Sequence, residues 1–213
     1  MDKFIITVAG EKHLKFVSDI EEAIIAASKV KGTGIAKRSQ EYITDKISQG
    51  KAVIAIHADG SFAGFCYVET WGHEKFVANS GLIVVEKYRG RKLAYQIKSE
   101  AFRLSRKLFP SAKIFGLTTS LAVMKVNSAL GYQPVTFSEL TDDDDFWKGC
   151  QTCAYYDILF RTNRSLCLCT GMLYDPSVSK KHNGIASRKH NGIRAMKKHK
   201  GFIKEILSIR KHG

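Results

Sequence analysis

The residues best suited to chemistry lie where an apolar run meets a basic turn. Leu82-Ile83-Val84-Val85 leads through Glu86-Lys87-Tyr88 into Arg89-Gly90-Arg91-Lys92 and then Leu93-Ala94. The spacing predicts a strand, a turn and an amphipathic helix. In that helix Leu93, Ile97, Ala101, Leu104 and Leu108 form the inner stripe, while Lys98, Arg103, Arg106 and Lys107 take the outer face. The N–H groups that open a helix have no intrahelical partner and carry the positive end of its dipole, so this junction is an anion site. Arg89, Arg91 and Lys92 add charge, and a pyrophosphate is the natural occupant. Taken alone, the same residues also suit an ordinary strand-to-helix turn with surface charges.

A second constellation is Cys150-x-x-Cys153 followed by Cys167-x-Cys169. Four thiolates from two such pairs suit a closed, structural zinc ion, and unliganded thiols are the alternative. Cys66 stands alone in a strand-like segment and reads as a small core residue. Free thiols and the absence of a signal-like start point to a cytoplasmic setting.

The elements that must position these groups follow from periodicity. A strand is expected over Phe4–Val8, a helix over Glu11–Val30 and a second over Ser39–Ser48. Three strands follow closely, over residues 51–57, 61–71 and 75–85, joined by short turns. After the amphipathic helix come a strand over 113–119, a helix over 121–130, strands over 132–137 and 154–160, and a short helix behind the acidic run Asp142–Asp145. This order argues an α/β fold, a mixed and mostly antiparallel sheet with flanking helices.

The basic turn within that order resembles the Arg/Gln-x-x-Gly-x-Gly/Ala motif of the GNAT N-acyltransferases. Arg89, Gly90, Arg91, Leu93 and Ala94 match it, and Lys92 stands where the motif usually has glycine. The resemblance covers about residues 4–160. It implies a GNAT fold whose fourth and fifth strands splay apart to admit the pantetheine arm of acetyl-CoA or succinyl-CoA. Leu82, Ile83 and Val84 would pair their backbone with that arm, and Arg89–Ala94 would hold the pyrophosphate. Asn127 falls where many members carry a tyrosine general acid. It can hydrogen-bond the thiol or pantetheine but cannot give up a proton, and a helix-capping or solvent-facing role is its alternative. Glu69, acting through water, is the candidate base, with His73 behind it. The ordinary reading of Glu69 is an exposed strand residue.

Segments 32–38, 69–72, 79–82 and 146–150 are similar to bacterial GNAT proteins of arginine biosynthesis that acylate glutamate. That resemblance makes Lys37 and Arg38 the candidate partners of a substrate carboxylate. Surface charges ahead of a helix are the plainer account of both.

The net charge of +14 is unevenly spread. Residues 1–161 hold 22 Lys and Arg against 18 Asp and Glu, whereas residues 162–213 hold 12 against 2. Three parts are expected: a GNAT domain over 1–161, a Cys-containing extension over 162–175 packing on or near it, and a basic, flexible tail over 176–213. The tail repeats Lys-His-Asn-Gly-Ile at Lys181–Ile185 and Lys189–Ile193, ends in a short apolar-periodic stretch at 202–209, and suits weak polyanion binding or simple solubilisation. No apolar run is long enough to span a bilayer. A homodimer is one assembly open to such a domain. Two other functions remain open: acylation of another small amine or a protein amine, and a nucleic-acid-associated protein whose body only binds acyl-CoA.

Overall fold

A computed structural model describes residues 3–178; the tail features expected beyond that point lie outside the described residues. The residues up to Asp175 belong to one compact unit. It is built on a seven-stranded sheet of order β1-β2-β3-β4-β5-β7-β6. The strands are β1 (Phe4–Val8), β2 (Ala52–His57), β3 (Phe62–Trp71), β4 (Phe76–Val84), β5 (Lys113–Thr118), β6 (Gln133–Val135) and β7 (Thr170–Tyr174). All neighbours pair antiparallel except β4 and β5.

Period-two alternation sorts the sheet's side chains to two faces. Val53, Ala55, Ala63, Cys66 and Val68 face one core, which α3 (Leu93–Leu108) covers with Leu93, Ile97, Ala101 and Leu104. Ala52, Ile54, Phe65 and Tyr67 face the other, covered by Ile20 and Ile24 of α1 (Val17–Ser28) and by Ile43 and Ile47 of α2 (Gln40–Ser48). Ser39 caps α2 by accepting from the Tyr42 amide, and Gly50 (φ +64°) follows its end. A third cluster joins Phe115 and Leu173 of the sheet to Trp147 of α5 (Asp144–Lys148) and Leu159 of α6 (Tyr156–Arg161). The remaining helix, α4 (Leu121–Ala129), follows β5.

Two expectations fail here. Residues 154–160 are not a strand: Tyr156–Arg161 is helical, with Leu159 alone fully buried. Its one-sided burial is helical in character, and apolar content alone did not reveal it. The strand that closes the sheet is instead β7, inside the segment expected as an extension. It stands between β5 and β6, with Gly171 packed 3.1 Å (as an ideal Cβ) from the Val135 carbonyl. Lys98 is the second failure. It lies not on the outer face of α3 but in its core face, 2% exposed.

Candidate functional site

The parallel pairing of β4 with β5 covers only Phe76–Ala78 against Lys113–Phe115. Beyond that point β5 keeps its pairing with β7 on the other edge, through Thr118, but no longer pairs with β4. The cause is local. Between Phe65 and Tyr67 the β3–β4 register shifts, so that Phe65 faces Ile83 but Tyr67 faces Ser80. The extra residue sits in β4 and makes a bulge, which bends a strand and re-aims its backbone. Gly81 in the bulge has φ +63°, and an ideal Cβ there would stand 2.6 Å from Tyr67 Cε1. Only glycine meets both conditions.

A cavity of about 410 Å³ opens at this parting. Asn79–Leu82 and Gly116–Ser120 form two of its walls, and the α1–α2 loop from Lys31 to Ala36 with Arg38 forms a third. The loop is fixed by the Gly34 amide, which donates to Thr119 Oγ1 at 3.1 Å. Arg38 donates through Nε to the Tyr67 hydroxyl at 2.9 Å and through Nη1 to the Gly149 carbonyl at 3.4 Å. Among the described residues the charged ones lining the cavity are Lys31, Arg38 and Lys98, and no Asp or Glu lines it.

Of the residues expected at a site, the structure brings Leu82, Arg38 and Asn127 to this cavity. Asn127 is 1% exposed, and its Oδ1 has no hydrogen-bond partner. It is neither a helix cap nor solvent-facing. Ile83 packs into the core beside α1 and α2, and Lys37 is exposed with its amide donating to Thr152 Oγ1.

The basic junction lies at the end of β4, after Val84. Glu86–Tyr88 form one 3-10 turn, Arg89 Nε donates to the Val84 carbonyl at 3.3 Å, and Gly90 takes φ +78°. Lys92, at the N-cap of α3, has φ +60°. The departure from glycine in the sequence thus falls at a left-handed position, where a side chain is strained. Arg89, Gly90, Arg91 and Lys92 are exposed, Leu93 is buried in the core, and Ala94 is half-buried.

Glu69 does not line the cavity. Its carboxyl accepts from the Tyr42 hydroxyl and from Lys46 Nζ, the latter at 2.5 Å. Burial pushes it up, to about 7, and the Arg38 charge pulls it down. An ammonium and a phenol donating to the same carboxyl favour its ionised form, so the charged pair holds. His73 is exposed in the β3–β4 turn.

The four cysteines Cys150, Cys153, Cys167 and Cys169 are free and all line the cavity. The Cys153 amide donates to the Cys150 carbonyl at 2.9 Å, closing a tight turn. Burial pushes the Cys150 thiol up to about 11, helped by Cys153 and Cys167, and Cys169 still further. Among the described residues no group of three or more His, Cys, Asp or Glu is placed to hold a metal ion. The zinc set expected from the spacing is not assembled among the described residues, where the four thiols lie along the cavity wall. Cys66 is fully buried in the core.

Sequence reasoning missed Tyr67, Gly81, Thr119 and Lys98. Gly81 left a signal, as a glycine inside a strand pattern, and Lys98 left one in its spacing along the helix.

The sequence matches no family model, and no curated protein matches it. Solved structures do match. N-acetylglutamate synthase from Neisseria gonorrhoeae, complexed with coenzyme A and N-acetyl-glutamate, superposes with a TM-score of 0.59 at 17% identity, over 81% of this chain and 35% of that one. This chain therefore spans about a third of that synthase's length. A Mycobacterium tuberculosis protein in complex with CoA gives 0.59 at 14% identity, over 80% and 98%. A GNAT-superfamily phosphinothricin acetyltransferase from Sinorhizobium meliloti, in complex with acetyl-CoA, gives 0.55 at 14%, over 82% and 88%. The chain has the GNAT fold. Among the described residues no helix is long and apolar enough to cross a membrane.

Proposed function

We propose that the protein is an N-acyltransferase that moves an acetyl or succinyl group from coenzyme A to the amine of a small amino acid, with glutamate the best candidate. One observation carries this reading: β4 and β5 part after Ala78 and Phe115, and among the described residues the cavity at the parting has cations and no carboxylate on its walls. A thioester arm needs the first feature, and an acceptor rich in carboxylates needs the second.

In this reading the junction Arg89–Ala94 holds the pyrophosphate with helix-start amides and basic side chains. The pantetheine arm runs along Leu82–Val84, whose main-chain amides polarise the thioester carbonyl. Asn127, buried with an unpaired oxygen, accepts a hydrogen bond from the arm. Arg38, steadied by Tyr67, receives the acceptor's carboxylate, and exposed Lys37 adds to the field at the mouth.

Holding both substrates in one cavity lowers the entropic cost of their encounter. The neutral amine attacks the carbonyl carbon, the new C–N bond forms, and the C–S bond breaks with its electron pair on sulfur. The thiolate of coenzyme A leaves, which a thiol pKa of about 8.5 makes easy, and takes up, directly or through water, the proton that the attacking nitrogen gives up. The acceptor's ammonium proton departs beforehand through water, either to solvent or toward Glu69. Structural zinc has no part in this scheme. A homodimer, a cytoplasmic setting and a place in arginine biosynthesis belong to the same proposal.

The test is to incubate the full chain with acetyl-CoA or succinyl-CoA against a panel of amino acids while following thiol release. Glutamate-dependent release is expected. Release that is equal with and without every amine would overturn the reading.

A further inference from the structure

A buried ammonium stands where β4 and β5 separate. Lys98 Nζ donates to the Asn79 carbonyl at 2.9 Å, one residue beyond the last β4–β5 pair. Asn79 is held in turn by its side chain, which donates to Ser105 Oγ at 2.7 Å and accepts from the Tyr132 hydroxyl at 2.9 Å. The Tyr132 ring lies 5.6 Å from the ammonium, and the Cys66 thiol faces it from β3. Among the described residues no carboxylate forms an ion pair with Lys98. Burial accordingly pushes the ammonium's pKa down.

An uncompensated cation in a protein interior is costly unless something brings it an anion. The cavity offers the route. Gly116 of β5 lies beside the ammonium, and a Cβ on it would stand 3.6 Å from Lys98 Nζ and 3.5 Å from the Asn79 carbonyl. With no side chain at that point, the ammonium borders the cavity. Arg38 reaches the same cavity from the α1–α2 loop, whereas Lys98 comes from α3, on the opposite face of the sheet. Two separate anion positions therefore flank one opening.

We infer that Lys98 sets donor selectivity by receiving the terminal carboxylate of a dicarboxylic acyl thioester. The inference rests on the acyltransferase reading above and goes further, since it chooses between donors that differ at the far end of the acyl chain. That carboxylate is a spectator of the transfer. Its contact with Lys98 supplies the counter-charge the fold omits and seats the thioester at the strand opening. Arg38 is left for the acceptor.

The test compares succinyl-CoA with butyryl-CoA, an acyl chain of equal length without the charge. Affinity is measured by calorimetry on the full chain, and kcat/KM by glutamate-dependent thiol release. The wild type is expected to favour succinyl-CoA by about tenfold or more, the worth of one charge-assisted hydrogen bond. In Lys98→Met, and in Lys98→Gln should the first variant fail to fold, that ratio is expected to fall toward one. A ratio unchanged in whichever variant folds overturns the inference and leaves Lys98 a strut for the Asn79 carbonyl. Binding that discriminates the two thioesters, without amine-dependent thiol release, would instead defeat the acyltransferase reading and leave the Lys98 contact standing.

Discussion

Tyr67 and Gly81 share one space across the β3–β4 bulge: the Tyr67 ring edge occupies the position where a Cβ on Gly81 would stand, at 2.6 Å. The same Tyr67 hydroxyl accepts from Arg38. The bulge that parts the sheet is therefore tied to the side chain proposed to hold the acceptor. Gly81→Ala adds both a steric conflict and strain at φ +63°, expected to cost about 1–3 kcal/mol. At about 2–4 °C per kcal/mol for a chain of this size, the melting temperature drops by several degrees. The acceptor KM rises as Tyr67 and Arg38 are displaced. Calorimetry and initial rates check both, and an unchanged melting temperature would show that the bulge tolerates a side chain.

Lys92 holds a left-handed conformation at the start of α3, which costs a non-glycine residue about 1–2 kcal/mol. Lys92→Gly removes that strain and restores part of it as backbone entropy, about 0.5–1 kcal/mol. The net expectation is a small rise in melting temperature together with weaker donor binding, because a cation beside the pyrophosphate is lost. A fall in melting temperature would mean that the lysine side chain itself braces the turn.

How far the sequence could carry this picture depends on which forces leave a local trace. The basic junction was legible because a strand, a glycine turn and an amphipathic helix each carry their own pattern. The meander was legible through its turns. The β-bulge and the strand parting were not derivable from the residues, since register is a property of two strands together; the parting was expected only through the family resemblance. Lys98 was misplaced for a chemical reason: charge was read as exposure. Its spacing with Ala94, Ala101 and Ser105 follows the same three- and four-residue steps as the buried stripe. β7 escaped because Thr170–Tyr174 is short and its neighbours β5 and β6 are distant in sequence.

Arg89 and Arg91 are exposed at the junction, where Arg89 donates to the Val84 carbonyl and Arg91 lies 5.8 Å over the Tyr88 ring. Replacing both with Gln is expected to leave folding intact and to raise the acyl-CoA KM by about tenfold or more, as charge-assisted contacts are lost. The effect on kcat is small, and the difference from wild type shrinks as salt screens the phosphate. Equal KM values at low salt would remove this junction from the donor site.

Asn127 presents a function–stability conflict. A buried acceptor without a partner destabilises by about 1–3 kcal/mol, and Oδ1 of this side chain is in that state. Asn127→Leu, near in size and without polar atoms, is expected to match or exceed the wild type in denaturant midpoint. If Oδ1 serves the donor arm, acyl transfer falls by about tenfold. A variant that gains stability and keeps full turnover would assign the residue to neither substrate.

Glu69 and Lys46 carry a pH signature that the wild type hides. Lys46 is 6% exposed and its Nζ lies 2.5 Å from the carboxyl, which keeps Glu69 ionised against the burial that pushes it toward about 7. Lys46→Met removes the counter-charge and leaves burial in control. A carboxyl whose folded pKa exceeds its ordinary 4.5 binds its proton more tightly in the native state. Its stabilising contribution is then complete below pH 4.5 and is lost as pH rises through the raised folded-state value. The variant's urea midpoint, relative to wild type, is therefore expected to fall between pH 5 and pH 8, a range chosen to bracket that change. Parallel pH profiles for the two proteins would mean that the Tyr42 hydroxyl and the Arg38 charge, without Lys46, suffice to hold the carboxylate.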